Sequence, residues 1–348
     1  MKRKVKFGVF ADLHVDIMHD TQERLEKFLE ACRKDNVDFI IQLGDFCYPD
    51  DNRKCVSRVG NQPENIKIAL STKTYADKEK ILSLFNNFEK PSYHVLGNHE
   101  CDICSKKETM DFYEMKGESY YSFDMGGIHF IVLDPNYFKF NGEYTAFENG
   151  NYFDAFYDSG QGSGGEHILP WIPPEQIEWL KNDLKNTKFP SVLFSHQCLC
   201  EGNIYGALNA DVIRQIIKDA PSGVLAAFNG HEHMDYDSYQ DGICFVNINS
   251  MSCQWIDKDF ICYGLYGKDI DEKYPNIKYT VPYKDSVYAI VSIDEEGIDI
   301  KGVESRCVGP SPEERGLYNE GSWWMNAYGT ELLLTPSIKD RYIPLKNK

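Results

Sequence analysis

The chain has 348 residues, enough for one large or two medium domains, and its 42% hydrophobic and 14% aromatic content is too apolar for a disordered polymer. Asp and Glu number 54 against 37 Lys and Arg, a formal net charge of -17, so the mean field repels polyanions and argues against long nucleic acids or an anionic membrane as partners. The longest apolar runs fall far short of the roughly 20 residues of a transmembrane helix, and eleven scattered cysteines fit a reducing cytoplasm better than a disulfide scaffold.

Met1 to Lys4 has the positive start of a signal peptide, but the apolar stretch behind it is short, and Val5 to Phe10 is predicted as a buried first strand. Leu25, Phe28, Leu29 and Cys32 at helical spacing predict a helix over 21–35, with Thr21 as its N-cap. Phe39 to Leu43 reads as a second strand ended by Gly44-Asp45, and Ser92 to Leu96 as a third ended by Gly97-Asn98. Between them lie a polar insert at about residues 50–73 and a helix from about Tyr75 to Phe88. Tyr120 to Phe123 and His129 to Leu133 flank a hairpin turn at Asp124-Met125-Gly126-Gly127. Residues 137–170, rich in Gly and aromatics without a sustained period, read as a long surface insert. Pro173-Pro174 starts a helix through Leu184, and Ser191 to Phe194 is a strand ending in Ser195-His196. A helix near Ala210 to Asp219 precedes a strand from Gly223 to Phe228, ended by Asn229-Gly230-His231. Ile243 to Ile248, Val287 to Ile293 and Ile298 to Lys301 are further strands, and the tail from Gly309 reads as irregular. Alternating strands and helices predict an α/β core.

Five of these strands end in residues of metal-ligand type: Asp12-Leu13-His14, Gly44-Asp45, Gly97-Asn98-His99-Glu100, Ser195-His196 and Gly230-His231-Glu232-His233. Each tip alone is compatible with an ordinary turn or a satisfied core histidine. Together they bring five of the nine histidines to strand ends, where α/β sheets bind ligands.

This ordered set, D-x-H, G-D, G-N-H-[DE], H, G-H-x-H, resembles the calcineurin-like metallophosphoesterase superfamily over the span from Phe7 to about Ile248. The resemblance implies a four-layer αββα sandwich of two mixed sheets flanked by helices. On that reading residues 1–253 form the catalytic domain, and 254–348 add a small β-rich extension and irregular tail packed on it. It implies two metal ions, with Mn, Fe or Zn suiting the mixed donors. Asp12, His14, Asp45 and His233 would hold one ion and Asp45, Asn98, His196 and His231 the other, Asp45 bridging. The implied reaction is in-line attack on a phosphate mono- or diester by a metal-bridging hydroxide, with His99 as proton donor and Glu100 orienting it.

Within that superfamily, G-D-x-x-Y over 44–48 is similar to purple acid phosphatases, but those lack the first-motif histidine, so His14 argues that Tyr48 lines the site rather than ligating. The intact D-x-H looks more like class III cyclic-nucleotide phosphodiesterases and bacterial-type phosphohydrolases. Substrate specificity is expected from the inserts. Arg53, with Lys54 and Arg58, would contact a phosphate or form a solvated loop. Tyr137 and its aromatic neighbours, Tyr152 among them, would stack on a flat group such as a nucleotide base or pack on their own core. Cys101, Cys104, Cys198 and Cys200 read as a redox switch, a third metal site or simple packing. A non-catalytic binding scaffold and a nuclease of the same superfamily stand as rival functions; the full motif set argues against the first and the acidic charge against the second.

Overall fold

The computed structural model describes residues 4–47, 77–152, 170–201, 205–256, 258–329 and 332–345. Two six-stranded mixed sheets carry the fold. The first has β1 (Val5–Phe10), β2 (Phe39–Gln42) and β3 (Ser92–His94) in parallel; on the other side of β1, β14 (Ala289–Ile293), β15 (Gly297–Gly302) and β16 (Arg341–Pro344) follow antiparallel. The second runs β10 (Tyr236–Gln240), β11 (Ile243–Asn247), β9 (Val224–Asn229), β8 (Ser191–Ser195), β5 (Ile128–Val132), β4 (Tyr121–Met125), with β11, β9, β8 and β5 parallel. The strands from beyond residue 253 therefore complete the first sheet beside β1, and β4 and β5 form the hairpin expected at Gly126-Gly127.

Period-2 alternation explains the layers. Val5, Phe7 and Val9 of β1 and Phe39 and Ile41 of β2 point inward to meet Phe130, Val132, Val192, Phe194, Ala226 and Phe228 of the second sheet. Phe7 is fully buried, stacked on Phe39 at 4.9 Å and edge-on to Phe130, Phe194 and Phe228. The opposite faces meet helices. Phe10 and Ile40 pack on α1 (Thr21–Asp35) and α2 (Lys78–Asn86); Ile131, Leu193 and Ala227 pack on α4 (Pro174–Asn186) and α5 (Ala210–Lys218), with α3 (Lys106–Phe112) between the two halves in sequence. The result is the expected four-layer sandwich. Gly8 lets α1 approach closely, since a Cβ there would lie 2.9 Å from the Phe28 ring.

Local details differ in four places. The N-cap of α1 is Asp20 rather than Thr21; its carboxylate is taken by Arg24 at 2.7 Å, so no side chain caps the helix. Helix α2 begins at Lys78, where Asp77 accepts from the Lys80 N–H at 3.0 Å. The insert at 137–170 contains a hairpin, β6 (Tyr137–Phe140) with β7 (Glu143–Ala146), turned at Asn141-Gly142. A second two-stranded sheet joins β12 (Cys253–Trp255) to β13 (Thr280–Pro282), α6 (Lys268–Lys273) lies between them, and the tail holds α7 (Trp323–Tyr328) besides β16.

Candidate metal centre

The parallel strands of each sheet deliver their carboxyl ends to one edge, where the five tips lie. Backbone bonds stitch the tips together: the N–H groups of Asp12, His14 and Gly230 donate to the carbonyls of Gly44, Asp45 and His196, each at 3.0 Å. Asp12, His14, Asp45, His231 and His233 all have left-handed backbone, φ between 52° and 73°. Each such conformation costs a non-glycine residue on the order of 1 kcal/mol or more and persists only where the surroundings hold it. Glycine is required beside them. A Cβ on Gly97 would overlap the Asp45 carboxylate, and one on Gly230 would lie 2.7 Å from Asp12 Oδ2.

The side chains converge in two groups, Asp12 with His14 and His233, and Asp45 with His196 and His231, each with its donor atoms within 4.8 Å of one another. The groups adjoin: Asp45 Oδ2 lies 3.2 Å from His196 Nε2 and 3.8 Å from His14 Nε2. Asn98 Oδ1 is 3.1 Å from His196 Nε2. All seven residues expected as ligands are thus brought together. The arrangement suits cations. Asp12 Oδ1 is buried 3.2 Å from His233 Nε2 and, among the described residues, makes no hydrogen bond of good geometry. Imidazole nitrogens face each other at 3.2 Å in His14 with His233 and in His196 with His231. Second contacts fix the rings: His196 Nδ1 lies 2.8 Å from the Leu43 carbonyl and His233 Nδ1 2.5 Å from that of Cys253.

Without cations the site divides into neutral and charged histidines. Burial pushes His14 and His231 down to about 3. Burial also opposes charge on His196 and His233, but Asp45 and Asp12 outweigh it and lift them to about 9 and about 10. Burial raises the Asp12 and Asp45 carboxyls, yet their histidine partners prevail and hold both below the usual carboxylate range.

His99 stands beside the two groups, its ring 5.5 Å from that of His14 and its backbone N–H donating to Asp45 Oδ1 at 2.9 Å. Its Nδ1 is 2.9 Å from Asp102 Oδ2, and the Tyr152 hydroxyl donates to the other Asp102 oxygen. Burial disfavours the imidazolium, but Asp102 and Asp45 raise His99 well above its ordinary range. Glu100 does not supply the orienting contact expected of it. Its buried carboxylate accepts instead from the N–H groups of Gly97 (2.7 Å), Asp45 (3.0 Å) and Phe46 (2.6 Å) and from the Tyr113 hydroxyl (2.9 Å), and so shapes the turns that carry Asp45 and Asn98. The i,i+3 spacing of His99 and Asp102 was the available signal for the true partner.

Tyr48 and Arg53 lie outside the described residues, as do Lys54 and Arg58. Tyr137 is described, but its ring is covered by the Lys106 ammonium at 4.1 Å, itself bound to Asp134 and the Asn136 carbonyl, and no contact joins it to the site histidines. Among the described residues of the 137–170 insert, the aromatic that reaches the site is Tyr152. Cys198 and Cys200 are buried with sulfurs 2.9 Å apart in the α4 and α5 cluster, while Cys104 donates to the Glu100 carbonyl. Among the described residues, neither group able to hold an ion includes a thiol. Trp255, at the end of β12, carried no local signal of function, yet its ring lies 5.5 Å from His14, 6.3 Å from His99 and 6.4 Å from His233.

The profile of the calcineurin-like phosphoesterase family matches residues 5–235, the span that holds every one of the five tips. The chain belongs to the calcineurin-like phosphoesterase family. The enzyme class expected from the motif order, a metal-dependent hydrolase of phosphate esters, is that of the family, and two cations are its implied complement. Serine/threonine-protein phosphatase CPPED1 of Mus musculus is 23% identical over 189 residues, 51% of this chain and 52% of the relative. Its Bos taurus counterpart is 24% identical over the same length and shares. The chain therefore spans about half the length of the curated relatives it matches. Among solved structures, a dimetal phosphatase from Danio rerio shares the fold, with a TM-score of 0.57 at 16% identity, covering 88% of this chain and 99% of that one. Among the described residues no helix is long and apolar enough to cross a membrane.

Proposed function

We propose that this chain is a dinuclear metal-dependent phosphoesterase that hydrolyses a small phosphate mono- or diester, with His99 as proton donor to the leaving group. The observation that carries this reading is the adjacency of the two carboxylate and imidazole groups to the His99–Asp102 pair. Asp12, His14 and His233 would hold one ion and Asp45, Asn98, His196 and His231 the other, with Asp45 shared because one of its oxygens faces histidines of both groups. When bound, the ions supply Lewis acidity, polarising phosphoryl oxygens and making water a competent nucleophile near neutral pH. The mixed nitrogen and oxygen donors favour Mn, Fe or Zn.

The remaining chemistry belongs to the chain. His99, held through Nδ1 by Asp102, is kept protonated by that carboxylate and donates a proton to the departing oxygen. Asp102 fixes the orientation of the ring, and Tyr152 holds Asp102. Glu100 and the glycines keep the turns in the strained form that presents the ligands.

The substrate is proposed to be a small molecule, nucleotide-like where the aromatic wall of the site engages it. The curated relatives are serine/threonine-protein phosphatases by name, which adds a phosphoserine peptide to the panel. The chain is proposed to act as one unit, since strands beyond residue 253 complete the first sheet. A cytoplasmic location is supported by buried thiols such as Cys32, Cys47 and Cys101, which suit a reducing compartment.

The test compares bis-p-nitrophenyl phosphate, p-nitrophenyl phosphate and a phosphoserine peptide on Mn-loaded protein, chelated protein and the His99→Ala variant. Metal-dependent turnover that falls in His99→Ala supports the proposal. Two bound ions without turnover on any ester would return the binding scaffold to first place.

A further inference from the structure

Trp255 has a position that the metal chemistry does not require. It ends β12, the strand whose Cys253 carbonyl lies 2.5 Å from His233 Nδ1, so one short strand both orients a candidate ligand and carries the indole. Gln254 fixes that strand from both sides: its Oε1 accepts from the backbone N–H of Trp255 at 2.8 Å, and its Nε2 donates to the Glu232 carbonyl at 3.0 Å, between the two histidines of the fifth tip. The indole also packs on the cluster of Ile17, Met18, Cys253, Tyr274 and Ile277, which backs it with apolar side chains. It nevertheless remains half-buried rather than buried, beside three histidine rings of the site.

The orientation is informative. The indole plane is tilted by 33° from the His99 ring at a centroid separation of 6.3 Å, whereas it meets His14 edge-on at 86°. His99 gives its proton to the leaving oxygen, so whatever is bonded to that oxygen must pass within a few ångströms of His99. Tyr152 approaches the His99 ring edge-on at 83°, with its hydroxyl donating to Asp102. The indole of Trp255 lies beside the same ring. A large, rigid, backed aromatic surface next to the departing group selects flat rings, which gain face contact and quadrupole interaction there that saturated groups of equal size do not.

We propose that Trp255 is the platform for the leaving group and that this site acts on phosphate esters whose leaving group carries a flat aromatic ring. The assignment rests on the phosphoesterase reading of the site and deepens it by naming the substrate class. A simple aryl or arylalkyl group and a nucleobase share this chemistry, and the experiment separates them.

The experiment uses the full-length, Mn-loaded chain and reads binding as well as turnover. Dissociation constants are measured by calorimetry for benzylphosphonate against cyclohexylmethylphosphonate, equal in size but different in flatness, and for AMP against ribose 5-phosphate in the proton-donor variant His99→Ala. Wild type is expected to prefer benzylphosphonate by about tenfold if the ring is a simple aryl group, and His99→Ala to prefer AMP by a similar factor if it is a nucleobase. Trp255→Leu, introduced into each background, should bring the preference within twofold of unity, Trp255→Phe should restore part of it, and inorganic phosphate affinity and metal content should stay unchanged. A ring preference that survives Trp255→Leu, or the absence of any ring preference in either pair, overturns the proposal. Ring-selective binding that depends on Trp255 without hydrolysis of any ester would sink the phosphoesterase reading while leaving the platform in place.

Discussion

Replacing Asp102 with Asn removes the charge that holds His99 without removing the shape. Asp102 Oδ2 lies 2.9 Å from His99 Nδ1, and its side chain is only 3% exposed against 23% for His99. A hydrogen bond to a charged partner contributes about 1.5–3 kcal/mol. Partial exposure of the imidazole places this one near the lower end, about 1.5–2 kcal/mol, which converts to roughly a 10- to 30-fold fall in kcat. The fall should depend on the leaving group, because a proton donor matters most when the departing oxygen is basic. The assay is kcat for Mn-loaded wild type and Asp102→Asn across aryl phosphates running from nitrophenyl to phenyl esters, with metal content measured alongside. The deficit should be small for nitrophenyl esters and approach its full value at phenyl. An equal deficit across the series, or none at the phenyl end, would refute the reasoning that Asp102 acts through the proton donor.

Metal binding should release protons near neutral pH, since His196 at about 9 and His233 at about 10 carry charge that an ion must displace; the heat of Mn binding should therefore vary with the ionisation enthalpy of the buffer, and a buffer-independent heat contradicts this. For the metal-free chain the signs are definite. His196 and His233, raised above the unfolded value, stabilise fully below about 6.5 and lose that contribution as pH rises through about 9 to 10, whereas the lowered Asp12 and Asp45 lose theirs as pH falls below the ordinary carboxylate range. His14 and His231, lowered to about 3, lose their contribution as pH falls below about 6.5, so chelated protein should melt highest near pH 6.5 in a thermal scan. Gly97→Ala puts a Cβ against the Asp45 carboxylate and should cost at least tenfold in affinity for the ion of the Asp45, His196 and His231 group, read by metal analysis after dialysis, with the Asp12 group less affected. Phe7→Ala, at the centre of five packed rings, should destabilise by about 3–5 kcal/mol in urea unfolding monitored on metal-free protein.

Much of this protein is written locally. The apolar runs of β1, β2, β8 and β9 mark buried strands because two faces of each are covered, and the helical spacing of Leu25, Phe28, Leu29 and Cys32 marks α1 because one face is. The short strands β6 and β7, partly exposed, and the three-residue β12 carried no such contrast and went unread. The ligand types at five strand ends were equally plain, since parallel strands alternating with helices must present their carboxyl ends together. What the linear chain did not hold was direction. Asp102 and Glu100 are both acidic and both close to His99 in sequence; only the fold shows that the turn aims Glu100 at backbone N–H groups and Asp102 at the ring. Trp255 enters the site from a strand 156 positions after His99, and Tyr137 leaves it for Lys106, because a side chain's neighbours across a sheet edge depend on register and strand order rather than on its own surroundings in sequence. Sequence by itself therefore determined the family, the layers and the set of candidate donor residues, which rest on periodicity and motif order. Only the tertiary structure decided which groups meet, because that is settled by long-range packing that closes two sheets over one edge.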